Sequence, residues 1–238
     1  MVLLSLTVMH VHHGRGCSRK RQVIPREMPQ FGAVGSSGAT AWSSPVDNRT
    51  VKLWTVQAPE VAARLASGFD YRAGWALVSP PWVGAYQVMT AEMTARGVDC
   101  HGAPPVWAWP GWASPKQALY TAEMLLSVLQ WAHGVVMLRL AVPDDQVLCT
   151  SYFAWNDFLD PAMNRGGLPP TMDFRGVLLS KYDCLQATIP QIKARWVRRA
   201  RPMPMSRYTR RLIACDPDLR HLLMSPGNNH VRSAPPSG

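Results

Sequence analysis

Apolar residues recur along this chain with two periods, and the switches between them predict its elements. Residues 51–56 (V-K-L-W-T-V) are β-branched and aromatic with partial alternation, which predicts a strand. Pro59 and Glu60 then open a helix, with Val61 and Leu65 on one face and Gly68 as its stop. Over residues 80–97, Trp82, Ala85, Tyr86, Met89 and Met93 form one helical stripe, core rather than cofactor site. In residues 104–112 (P-P-V-W-A-W-P-G-W) the alternation of an extended chain puts Trp107 and Trp109 on the same side, and the bracketing prolines suggest a short or edge strand. Ser114-Pro115-Lys116-Gln117 is a capping box, predicting one helix from 115 to 133 closed by Gly134. Its stripe of Leu119, Ala122, Leu126 and Leu129, broadened by Met124, Leu125 and Val128, must be buried or meet a protein partner.

The densest apolar run follows. Residues 135–142 predict a buried strand with one charge, Arg139, and Pro143-Asp144-Asp145 is turn chemistry. Residues 147–149 predict a second strand, and Thr150-Ser151 caps an aromatic helix carrying Tyr152, Trp155 and Phe158. Residues 160–170 are a loop, and Val177-Leu178-Leu179 fits a short strand or part of a helix. A last helix is predicted from Thr188, with Ile189, Ile192 and Trp196 as its apolar face, ending at Pro202-Met203-Pro204. Beyond it the only further prediction is a short helix near residues 219–224. The pattern is that of an α+β domain over residues 51–200: a small mixed sheet of short strands with four to five packed helices, between disordered termini. The Gly/Ser/Ala-rich residues 32–45 cannot bury enough apolar surface to order themselves, so residues 1–50 are expected to be a disordered extension. That extension also suggests a translation start further downstream.

Charge divides the chain the same way. The formal net charge is +10, with +4 in residues 1–50, −3 in residues 51–160 and +9 in residues 161–238. The basic character therefore belongs to the flanks. Eight basic residues (Lys193, Arg195, Arg198, Arg199, Arg201, Arg207, Arg210 and Arg211) occur without an acid between them, interleaved with Trp196 and Tyr208. Arginine pairs with phosphate bidentately and stacks on bases, so this helix and tail form a candidate nucleic-acid-binding segment. Five cysteines without C-x-x-C spacing argue for a reducing, cytoplasmic setting and against a thiolate metal site. No apolar run reaches the roughly 20 residues of a membrane span. No phosphate-binding loop, nucleophile elbow or H-E-x-x-H segment is present. No metal site is expected: His10, His12 and His13 lie in a segment without a scaffold, and a turn between strands explains Asp144-Asp145.

Residues 53–57 (L-W-T-V-Q), 106–109 (V-W-A-W), 143–148 (P-D-D-Q-V-L) and 155–159 (W-N-D-F-L) resemble the signature segments of an uncharacterised bacterial family, domain-of-unknown-function family 3841. Ile192 to Trp196 resembles its closing I-x-x-S-W segment, with Arg195 in place of serine, and Asn156 stands where the family carries histidine. The family has no established activity, so the resemblance implies a domain boundary. Two functional expectations come from the residues. One is a binding module for a nucleotide or nucleic acid: Trp54, Trp107, Trp109 and Trp112 would line a cleft, with Thr55 and Gln57 reading polar edges. The alternative is an ADP-ribosyltransferase-like enzyme using NAD, by analogy with a first strand carrying Trp54 and Thr55. Such enzymes need a late glutamate, and none follows Glu123. No other cofactor is expected.

Overall fold

The computed structural model describes residues 49–164, 171–180 and 183–219. Expectations for residues 1–48 and 220–238 lie outside the described residues. Six strands form one sheet: β1 (Thr50–Gln57), β2 (Val106–Pro110), β3 (Val136–Pro143), β4 (Leu148–Ser151), β5 (Leu185–Ile189) and β6 (Val197–Pro202), in the order β4-β5-β2-β1-β3-β6. Every pairing is antiparallel, so the sheet is not of the mixed kind expected, although the α+β class holds. The helices are α1 (Pro59–Ala66), α2 (Val83–Ala95), α3 (Pro115–Leu125), α4 (Val128–His133), α5 (Tyr152–Asn164) and α6 (Arg207–Cys215). None is long and apolar enough to cross a membrane.

Alternation along the strands sorts side chains to two faces. One face carries Leu53, Val106, Ala108, Leu138, Leu140, Ala187 and Ile189, packed against Leu65 of α1 and against Ile192 and Trp196. The opposite face is covered in two halves. Over β1 and β3, Trp54, Val56, Trp109 and Met137 pack with α3, α4 and Ile213 of α6. Over β2 and β4, Trp107 and Leu148 pack with Met89 and Met93 of α2 and with Trp155 and Phe158 of α5. Full burial of each large apolar side chain stabilises the fold by about 1.5–3 kcal/mol.

Several expectations about local structure are corrected. The predicted helix over 115–133 is broken at Leu126, whose backbone is extended (φ −100°, ψ 139°). Ser127 then caps α4 with a full capping box, its hydroxyl accepting from Gln130 N and Gln130 Oε1 accepting from Ser127 N. No helix starts at Thr188. Leu185, Ala187 and Ile189 alternate as strand β5, one 3₁₀ turn follows at Ala194–Trp196, and Val197–Pro202 is an edge strand paired to β3. Residues 201–219, expected to belong to a mostly disordered tail, include α6. Ser206 caps that helix by accepting from Thr209 N, Thr209 Oγ1 donates to Glu123 Oε1 of α3 at 3.0 Å, and Ile213 is fully buried. Val177, Leu178 and Leu179 belong to neither strand nor helix, and all three are exposed.

Candidate nucleic-acid interface

The six candidate ligand-binding residues do not converge. Trp54 and Trp109 face each other across β1 and β2, stacked at 4.7 Å between ring centroids, and are 1% and 9% exposed. Trp107, 6% exposed, packs on Trp155 at 4.8 Å. These three rings are buried core. Thr55 and Gln57 lie on the other side of the sheet, since Thr55 pairs with Leu138 and Gln57 with Val136. They fasten β1 to β2: beyond the Trp54–Trp109 pair, the Thr55 hydroxyl donates to the Trp107 carbonyl at 2.7 Å, and Gln57 Nε2 donates to Thr55 Oγ1 at 3.0 Å. Only Trp112 remains at the surface, 38% exposed.

Two hollows adjoin this region. A crevice of about 40 Å³ is lined by Gln57, Tyr71, Tyr86 and Trp107. It has room for about three waters, whereas a cofactor such as NAD needs a pocket of several hundred Å³. Burial pushes the Tyr71 and Tyr86 phenols up, so both stay neutral and available only as hydrogen-bonding groups. A wider groove of about 660 Å³ runs between α1 and the Tyr71–Arg72 segment. Its two cations are matched by Glu60 and Asp70. Its arginines are already held, Arg64 Nε donating to the Asp70 carbonyl at 2.8 Å and Arg72 Nε to Gln191 Oε1 at 3.1 Å. Among the described residues no group of three or more His, Cys, Asp or Glu could hold a metal.

The basic segment is placed differently from the sequence expectation, because strand and helix each present part of it. Arg198, Arg199 and Arg201 are exposed on β6, the outermost strand beside β3. Arg207, Arg210 and Arg211 are exposed on α6, beside Tyr208 at 70% exposed. None of these six guanidinium groups has a carboxylate within ion-pairing distance among the described residues. Lys193 and Arg195 stand apart at the turn before β6, with the Lys193 ammonium 5.4 Å from the Trp196 ring. The register also brings in a residue that sequence reasoning left without a role. Arg139 of β3 lies directly opposite Arg199, and its guanidinium sits 5.5 Å from the centroid of the Trp112 ring. The only signal in the sequence was a lone charge inside an otherwise apolar strand.

Elsewhere the polar chemistry is structural. Asp183, almost fully buried, accepts from the Ser151 hydroxyl at 2.6 Å and from the backbone amides of Phe153, Leu179 and Cys184 at 2.7–3.0 Å. Ser151 in turn accepts from Ala154 N, so the pair caps the start of α5. Asn156 donates to the Tyr152 carbonyl within its own helix. No family model, curated protein or solved structure matches the chain.

Proposed function

We propose that this protein is a non-enzymatic nucleic-acid-binding module that engages the phosphate backbone through β6 and α6. One observation carries the reading: six exposed arginines on the last described strand and helix, with no carboxylate opposing them among the described residues. Guanidinium groups without internal partners are able to release counterions from a polyanion, the main source of affinity in sequence-independent binding. The free cysteines at 100, 149, 184 and 215 support work in a reducing compartment, the cytoplasm under this reading. The resemblance to family 3841 belongs to the proposal as a boundary and brings no activity with it.

The test is fluorescence anisotropy with a labelled 20-nucleotide strand, comparing the wild type with a variant in which Arg198, Arg199, Arg201, Arg207, Arg210 and Arg211 are all alanine. All six side chains are exposed, so the variant keeps the core. The wild type is expected to bind and the variant to lose measurable affinity at 100 mM salt. Equal binding by the two proteins would remove the proposal.

A further inference from the structure

We infer that Trp112, Arg139 and Arg199 form an anchor for single-stranded nucleic acid, the base lying on the indole and the phosphate between the two guanidinium groups. The inference rests on the nucleic-acid reading above and names the substrate class of that same surface.

Three features set Arg139 apart. It is a partly buried cation with no carboxylate near it among the described residues. Its Nη2 donates to the Ala113 carbonyl at 3.1 Å, while its Nε is buried and finds no acceptor. It also stands directly opposite Arg199 on the same face of the sheet. Like charges placed opposite one another destabilise a sheet, and a buried donor without an acceptor adds to that cost. An exposed arginine on β6 has an ordinary use, because charge on an edge strand discourages pairing with another chain. Arg139 has no such use: it lies on an interior strand, between β1 and β6. An anion seated between the two guanidinium groups would offset the repulsion.

Trp112 decides which anion. Its ring lies against the Arg139 guanidinium, it is 38% exposed, and it follows Gly111, whose φ of 85° turns the chain out of β2. An aromatic plane beside a phosphate site suits an unstacked base, which a duplex does not offer and a single strand does. Arg201 lies on the same face as Arg199, two residues along β6 and so about 6.6 Å further on, in line to meet a following phosphate.

The test measures binding of fluorescein-labelled oligodeoxythymidylate and of a duplex of equal length to the full chain. Trp112→Ala is expected to weaken single-strand binding roughly 5- to 150-fold, the range for loss of one stacked base. It should leave duplex binding and the salt dependence unchanged, because no phosphate contact is removed. Trp112→Phe should retain most of the affinity. Arg199→Ala should lower the single-strand salt slope by about 0.7, the loss of one phosphate contact. Should Trp112→Ala fail to fold, Trp112→Leu, which keeps apolar bulk over Arg139 without a ring, is measured instead. Single-strand binding by that variant within twofold of wild type, with the six-arginine variant still impaired, would overturn the anchor and leave the module standing. Failure of the wild-type protein to bind either strand would overturn both.

Discussion

Replacing Asp183 by alanine probes a buried carboxylate that ties four donors together. The carboxylate accepts four hydrogen bonds, one from the buried Ser151 hydroxyl and three from half-buried amides at Phe153, Leu179 and Cys184. A bond to a charged acceptor contributes about 1.5 kcal/mol at the low end where both ends are buried. Water can reach the three amides once the side chain is gone, so each loses only about 0.5–1 kcal/mol. The expected destabilisation is therefore about 3–5 kcal/mol, or a fall in Tm of roughly 6–20 °C for a domain of this size. Urea unfolding followed by tryptophan fluorescence reads it, since Trp155 lies on the helix that Asp183 caps. The midpoint should fall with an unchanged m-value. Ser151→Ala alone should cost about 1 kcal/mol, and a double-mutant cycle should return a coupling of about 1 kcal/mol between the two sites. An Asp183→Ala protein within 1 kcal/mol of wild type would refute the assignment of the carboxylate as a structural clamp.

Two further outcomes follow from the core. Trp109→Ala removes a ring stacked on Trp54 and should destabilise the fold by about 3–5 kcal/mol, while millimolar mononucleotide should not quench the wild-type core tryptophans; quenching of the Trp54–Trp109 pair would mean that the rings are open to ligand. Burial, reinforced by Asp99 and Asp183, pushes the Cys100 and Cys184 thiols from 9.0 up to about 11. Both should react slowly with maleimide at pH 7, and Cys215, the one exposed cysteine among the described residues, should react first. Because these folded-state values are raised, their contribution to stability is complete below pH 9 and is lost as pH rises through about 11. Labelling of Cys100 as fast as that of Cys215 would contradict the burial.

What could be read from the sequence was whatever is local. The strand at 51–56, the helices after Pro59 and Ser151, the strand around Trp107 and the Pro143 turn all carry their period and their stop signals within a few residues. Residues 188–199 misled because Ile189, Ile192 and Trp196 fit a helical stripe, while Leu185, Ala187 and Ile189 fit a strand equally well. The choice is made by β2, which pairs Val106 with Ile189 from 83 residues away. The break at Leu126 was present as the Ser127–Gln130 box, hidden inside a run apolar enough to pass for one helix. Helix α6 has little apolar stripe of its own and depends on Ile213 and the Thr209–Glu123 bond, a contact across 86 positions. The tryptophans were visible as a group, but which of them are core depends on what covers each sheet face. Of the six candidate ligand residues, Trp112 alone is exposed, and the significance of Arg139 depends on a register that places Arg199 opposite it.

The central claim is that the β6 and α6 arginines meet phosphates, and salt dependence tests it most directly. Each phosphate neutralised on a single strand contributes about −0.7 to the slope of log K against log salt. Six contacts therefore predict a slope near −4 and a loss of affinity of roughly 300-fold between 50 and 200 mM salt. The variant lacking the six arginines should bind too weakly across this range to give a slope. A wild-type slope already near zero, or one that survives removal of all six, would contradict the account.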